Sequence, residues 1–275
     1  MFQYAIRRIL ISIPILLVVL TLVFVVVRVL PGDPAVAALG DQASKEAVEA
    51  LRAKMGLNDP LWLQYLKFLG SLCRGDLGTS IISGFPVAAQ IASVVPYTLE
   101  LTFLAVFLGY LFGIPLGISA AVRRNSFVDY FNRVFSLLGL SVPAFYLGIL
   151  LILVFSVKLR VFPVVGGGEF GDIEDNLMHV ALPALALGMM MTAYVTRMTR
   201  SSILDIMRED YVRTAHSKGL SDRKVLYKHV LRNALIPIVA LGGLYVVVLI
   251  GSSVMVEIVF SRPGLGKLLV GAIKQ

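Results

Sequence analysis

The feature that most constrains this chain is a set of long apolar runs that contain no charged residue. The first run, residues 9–27, has no charged side chain over nineteen positions. That length crosses the hydrocarbon core of a bilayer, about 30 Å thick, as an α-helix. Because backbone groups find no water partners in lipid, such runs are expected to be helical. Five spans are predicted, at 9–30, 97–122, 135–157, 181–195 (extending towards 202) and 236–260.

The composition agrees with a membrane protein. Only 15% of the 275 residues are charged, whereas water-soluble domains average about 25%. The fold class predicted is therefore all-α, a polytopic membrane helix bundle. Arg7 and Arg8 before the first apolar run resemble the start of a signal peptide. The run is longer than the roughly 7–15 apolar residues of a signal peptide, so we expect an uncleaved signal anchor.

The positive charges of the loops predict an orientation. Arg7 and Arg8 precede the first span, Arg123 and Arg124 follow the second, and the loop between the last two spans carries a net charge of +5 over residues 197–232. The alternate loops are neutral or acidic. By the positive-inside rule, the N-terminus and the loop 197–235 are cytoplasmic, and residues 31–96 lie outside.

The outer segment, residues 31–96, contains two amphipathic stretches. They lie at 43–55 and 62–73, and Gly56 and Pro60 between them are expected to end one helix and to allow the next. We predict a small helical cap. The chain is thus divided into an N-terminal spanning helix (1–30), this cap (31–96) and a transmembrane domain (97–275).

Small residues recur every four positions in the second span, at Gly109, Gly113 and Gly117. Such spacing lets two helix backbones approach closely in lipid. It predicts packing against another helix of the same chain, and a flexing pore helix is the alternative.

The cytoplasmic loop 197–235 predicts two short helices joined by a tight turn. Gly219 fits the left-handed position that ends a helix, with Leu220 as the apolar contact after it. Ser221 is a suitable N-cap for the second helix.

The first of these helices has a modest apolar edge, formed by Tyr211, Val212 and Ala215, which a partner protein could receive. A basic helix–turn–helix is also typical of DNA-binding modules. This pair is tethered to spans at both ends and has no supporting third helix, so no nucleic acid partner is expected. Docking into a protein beneath the membrane is favoured.

Nothing in the sequence indicates an enzyme. Cys73 is the only cysteine, no Cys/His cluster has the spacing of a metal site, and no phosphate-binding GxxxxGK[ST] loop occurs. A membrane protease would need a base beside Ser136 or Ser141, and no predicted span contains a histidine. A channel that works alone is the remaining alternative from another class.

Several motifs resemble a known family. Arg213, Thr214, Ala215 and Gly219, with Leu231 twelve positions beyond the glycine, resemble the "EAA" loop of binding-protein-dependent ABC permeases. The family consensus has glutamate and proline where this chain has Arg213 and Arg232. Those departures fit the B-type permeases of dipeptide, oligopeptide and nickel importers. Further stretches that match this branch lie at 30–34, 56–61, 75–80, 96–101, 141–145 and 263–266.

This resemblance implies a permease subunit, itself without cofactor, that translocates di- or oligopeptides across a bacterial inner membrane, with nickel or glutathione as alternative substrates. Implied partners are membrane lipid, a homologous second permease, two ATPase subunits that hold ATP and Mg²⁺, and a periplasmic substrate-binding protein. A sixth span is expected after residue 275. The resemblance places the ATPase-coupling residues at Tyr211, Val212, Arg213, Thr214, Ala215, Lys218, Gly219 and Leu220.

Two carboxylates lie near the outer ends of predicted spans, Glu100 in the second and Glu257 in the fifth. Charged groups are tolerated there when they reach the interface or pair with an opposite charge such as Arg28. The functional alternative is an acidic pore mouth in the substrate pathway that attracts cationic groups.

Overall fold

A computed structural model describes residues 2–29, 34–40, 43–80 and 83–274. Over these residues every regular element except one isolated bridge is helical, which confirms the predicted fold class. The chain divides into two compact units, Met1–Gln90 and Ile91–Gln275.

The first unit contains a long apolar helix and the helices of the predicted cap. Ser44 caps its third helix, because its Oγ accepts a hydrogen bond from the Ala47 amide at 3.2 Å. Both predicted amphipathic helices are confirmed, and a short helix before them was not predicted. The helices are α1 (Phe2–Val29), α2 (Pro34–Leu39), α3 (Lys45–Lys54) and α4 (Leu61–Cys73).

The second unit is a bundle of long helices with a pair of short ones on one loop. Its first helix, α5, begins in the first unit and runs on through the second. The elements are α5 (Val87–Val122), α6 (Phe127–Ser141), α7 (Ala144–Leu151) with a π-helical continuation (Ile152–Lys158), α8 (Ile173–Ile206), α9 (Asp210–Ser217), α10 (Asp222–Lys224) with a π-helical continuation (Val225–Val230), α11 (Leu231–Val259) and α12 (Leu265–Lys274).

Within the described residues, four helices are long and apolar enough to cross a membrane, and a bent pair would make a fifth span. The four are Gln3–Arg28, Val87–Val122, Ile173–Ile206 and Asp222–Val259. All four correspond to predicted spans, and each begins several residues before the predicted start. Hydropathy detects the apolar centre of a helix but does not show where its first turns begin, so these N-terminal turns were missed.

The third predicted span, 135–157, is wrong as a continuous helix. It is broken between α6 and α7, which are bent by 99°. Val142 is extended, with φ −87° and ψ 122°. A residue before proline is pushed out of the helical region, and Pro143 offers no N–H to continue the helix. The bend therefore follows from Val142–Pro143, which an average of hydropathy does not register.

The glycine-rich face of α5 packs on α8, the most buried of the long helices. An added Cβ at Gly113 would lie 2.6 Å from the Cβ of Val195, so only a glycine permits this approach. The predicted packing within the chain is confirmed. In order along α5, Gly109, Gly113 and Gly117 lie against Met191, Val195 and Thr199 of α8.

Candidate functional site

The turn after α9 has the predicted geometry. Gly219 has φ +77°, in the left-handed region that favours glycine. The Leu220 amide donates to the Ala215 carbonyl at 3.4 Å, and the Gly219 amide donates to the His216 carbonyl at 2.9 Å. These two bonds define the Schellman motif, so the predicted positions of Gly219 and Leu220 at the end of the helix are confirmed. Ser221 occupies the N-cap position of α10, although its side chain makes no capping bond.

The apolar edge of α9 faces the interior of the chain. Val212 is 1% exposed and Ala215 is 6% exposed, and both belong to the same buried cluster as Val225 and Val230. The expectation that a partner could receive these two side chains is therefore wrong. Helical periodicity shows which face is apolar, and here that face is already covered by the chain's own π-helical segment. Of the predicted edge, only Tyr211 is exposed.

A polar contact also joins α9 to α11. The Asn233 side-chain amide donates to the Tyr211 hydroxyl at 2.8 Å and to the His229 carbonyl at 3.3 Å. Together with the buried Val212 and Ala215, this bond holds α9 against the start of the last long helix. The α9 helix and the start of α11 are therefore joined directly by a side-chain hydrogen bond.

The outward surface of the turn is polar and basic. Arg213, Thr214 and Lys218 are exposed, whereas Leu220 is half-buried. The Arg213 guanidinium lies 3.4 Å from the Asp210 carboxylate, and Thr214 donates to the Asp210 carbonyl at 2.9 Å. We call Tyr211, Arg213, Thr214 and Lys218 with the Gly219 turn the loop surface.

Glu257 at the other end of the bundle is fully buried and saturated with donors. Thr98 donates to its Oε1 at 2.7 Å, and Ser253 does so at 3.1 Å. The backbone amides of Gly266 and Lys267, in the first turn of α12, donate to its Oε2 at 2.8 and 3.2 Å. Glu257 therefore caps α12 and joins it to α5 and α11. Since the side chain is 0% exposed, it does not face a substrate pathway, and that expectation is corrected.

Glu100 pairs with Arg262, which sequence reasoning did not single out. The guanidinium contacts the Glu100 carboxylate at 2.5 Å and donates to the Gly167 carbonyl at 2.7 Å. Asn176 also donates to Glu100. Burial lowers the pKa of the fully buried Arg262, and the Glu100 charge acts in the opposite direction. The Glu100 side chain keeps 26% exposure, so contact with a solute stays a prediction for this residue alone.

A second buried carboxylate anchors α6 to α8. Asp129 is 0% exposed and accepts two bonds from Arg200, at 2.6 and 2.9 Å. The Asn125 amide donates to the same carboxylate at 2.9 Å, and Arg133 lies 3.6 Å away. A bidentate pair of this kind fixes orientation as well as distance. The sequence offered one signal for this ion pair, an aspartate that lies close to arginines in an amphipathic helix.

Comparison with solved structures shows which class of protein has this fold. The bundle resembles a chain of the methionine ABC transporter MetNI in an inward-facing conformation, with a TM-score of 0.51 at 21% identity over 66% of this chain and 79% of that one. A chain of an amino acid ABC transporter matches with a TM-score of 0.51 at 18% identity over 68% and 80%. The fold is that of ABC transporter membrane subunits.

The sequence comparisons identify the family. Residues 113–275 match the family described as binding-protein-dependent transport system inner membrane component, and residues 1–102 match the N-terminal domain of such components. The oligopeptide transport system permease AppB of Bacillus subtilis is 44% identical over 100% of this chain and 88% of that protein. The glutathione transport system permease GsiC of Escherichia coli K12 is 43% identical over 100% and 87%. The chain belongs to this family and is a permease subunit of an ABC importer.

Proposed function

We propose that this permease moves di- or oligopeptides across the bacterial inner membrane, driven by ATP hydrolysis on partner subunits. The observation that carries the proposal is the 44% identity to an oligopeptide permease over the whole chain. Glutathione is the second candidate, because a glutathione permease matches almost equally well and its substrate is itself a tripeptide. Nickel as a substrate is supported only by the sequence motifs.

The loop charges support an orientation with a cytoplasmic N-terminus. The loop that carries α9 has a net charge of +5 over residues 197–232, so the positive-inside rule places the loop surface in the cytoplasm. The cap formed by α2, α3 and α4 then lies in the periplasm. There it is positioned to meet a substrate-binding protein.

The loop surface is the proposed contact with the ATPase. It is exposed and basic, whereas Val212 and Ala215 anchor the helix behind it. Two ATPase subunits with ATP and Mg²⁺, together with a homologous second permease, would complete the importer. Where the family consensus has a glutamate this chain has Arg213, so the acidic contact is not expected here, and a contact of Arg213 would instead need an acidic group on the ATPase.

The arrangement supports a mechanical sequence. Closure of the ATPase pair around ATP displaces α9, and the Tyr211–Asn233 bond and the buried Val212 and Ala215 pass that displacement to α11. The bundle then opens outward and takes the peptide from the binding protein. Hydrolysis returns α9 to its first position and releases the peptide inward.

The test is uptake of radiolabelled tri-alanine and glutathione into vesicles that contain the reconstituted complex. We expect uptake only with ATP, both ATPase subunits and the binding protein, and a preference for tri-alanine. A matched control carries a Walker-lysine substitution in the ATPase. Flux through this chain alone would contradict the proposal, and a preference for glutathione would favour the second candidate.

A further inference from the structure

A cavity of about 690 Å³ lies in the second unit, between α6, α8 and α11. Its volume is within the range of about 300–1,000 Å³ typical of sites for small organic ligands. Three arginines line it, Arg133, Arg197 and Arg200, and among the described residues that line it none is acidic. Two of these arginines, Arg133 and Arg200, belong to the α6–α8 anchor described above, whereas no feature described so far uses Arg197 or the open space itself.

The positive charge of the cavity is only partly neutralised. Asp129 accepts two bonds from Arg200 and lies 3.6 Å from Arg133, so one carboxylate serves two guanidinium groups. Arg197 is exposed, and no acidic side chain in the described ranges lies within ion-pair distance of it. An arginine at the end of a spanning helix is tolerated more easily when an anion pairs with it.

Three residues of the cavity wall also have a side-chain oxygen that is buried behind the wall and does not face the cavity. Asn132, Ser136 and Thr196 are each at least 96% buried, and each has a side-chain oxygen with no hydrogen-bond partner within the described part of the chain. A buried polar atom left unpaired costs about 1–3 kcal/mol, so these oxygens make the packing of α6 on α8 less favourable than a fully paired contact would be. The apolar remainder of the wall includes Leu137 and a pair of tyrosines, Tyr194 and Tyr245, whose ring centroids are 4.0 Å apart.

We propose that this cavity binds the carboxylate end of the transported peptide, with Arg197 as its principal partner. The inference rests on the proposed function, since it names a subsite on the inward part of the same pathway. A peptide brings a carboxylate for the guanidinium groups of the wall. Its side chains fit against the leucine and tyrosine wall.

An anionic lipid would bring the same oxyanion chemistry through its phosphate. Basic pockets on the cytoplasmic side of membrane bundles bind such headgroups. The peptide is the ligand proposed here because the proposed function brings its carboxylate into this pathway. The experiment therefore separates the two sources.

The experiment measures binding of radiolabelled tri-alanine and tri-alanine amide to the purified permease–ATPase complex without the binding protein, by equilibrium dialysis. The wild type is expected to bind the acid about tenfold more tightly than the amide, as for one charge-assisted hydrogen bond. Arg197→Gln should abolish that preference and leave amide binding unchanged. Arg124→Gln, an exposed arginine outside the cavity, should keep it. Equal thermal midpoints of the variants would exclude misfolding as the cause.

The outcomes are distinguishable. An unchanged preference in Arg197→Gln, or no preference in the wild type, would overturn the subsite while ATP-driven uptake could persist. Loss of uptake for every peptide, with Arg197-dependent acid binding retained, would overturn the proposed function instead. If mass spectrometry finds that Arg197→Gln loses copurified phosphatidylglycerol or cardiolipin without any change in peptide preference, the ligand is lipid and the proposal is wrong.

Discussion

Replacement of Glu257 is expected to separate two effects, the loss of a charge and the loss of an acceptor. In Glu257→Met the length of the side chain is kept, but the Thr98 hydroxyl and the amides of Gly266 and Lys267 lose their acceptor. Each buried donor left unpaired costs about 1–3 kcal/mol, and Lys267 is exposed enough to bind water instead. The summed cost is about 3–5 kcal/mol.

Glu257→Gln is predicted to cost only about 1–2 kcal/mol, since it loses charge assistance and keeps an acceptor. The amide oxygen can face the two α12 amides while its NH₂ group turns to Thr98 and Ser253, whose hydroxyl oxygens can accept. This graded loss of stability is expected because the carboxylate accepts from four donors, the hydroxyls of Thr98 and Ser253 and the backbone amides of Gly266 and Lys267.

The assay is the thermal midpoint of the purified complex, together with hydrogen exchange of the α12 amides. Midpoints should fall in the order wild type, Glu257→Gln, Glu257→Met, and the Gly266 amide should exchange fastest in the methionine variant. Equal midpoints for the two variants would refute the reasoning, because they would show that the donors do not depend on this acceptor.

Three further predictions concern other contacts. Gly113→Val should prevent assembly of α5 with α8, measured as loss of folded permease in detergent, while Gly243→Val, where an added Cβ meets nothing within 4 Å, should assemble normally. Asp129→Ala should lower stability by about 2–4 kcal/mol, because it leaves the partly buried Arg200 unpaired, and rescue by a simultaneous Arg200→Met change would show the pair as the cause. Gly219→Val should strain the left-handed turn by about 1–2 kcal/mol and uncouple ATP hydrolysis from uptake, whereas Gly219→Asn should retain coupling; coupled uptake in the valine variant would contradict the role of the turn.

Local patterns in the sequence predicted the local parts of the structure. Apolar runs locate the spans because a bilayer demands about 20 apolar residues, and Gly219 locates the turn because few other residues adopt its conformation. The bend at Pro143 was also within reach, since proline and the residue before it disfavour a continuous helix. An average of hydropathy over a window of apolar residues does not show that effect.

Contacts between distant residues could not be read in the same way. Glu100 and Arg262 are separated by 162 positions, so only the packed bundle shows that they pair. The sequence singled out Glu100 and Glu257, but the role of each depends on its partners. The partners of Glu257 are hydroxyls and backbone amides, which are uncharged and cannot be recognised from the charge pattern of the sequence. Periodicity likewise marked Val212 and Ala215 as an apolar edge without showing that the chain itself covers it.

The central claim is that the loop surface meets an ATPase in the cytoplasm and passes its motion to α11. Its most direct test is cross-linking from Arg213→Cys in a Cys73→Ser background, with Val164→Cys in the opposite loop as the control. Arg213→Cys is predicted to cross-link to the ATPase subunit with a yield that changes when ATP is added. Labelling of Arg213→Cys by an impermeant maleimide in intact cells whose outer membrane has been permeabilised, with no ATPase cross-link, would contradict the account.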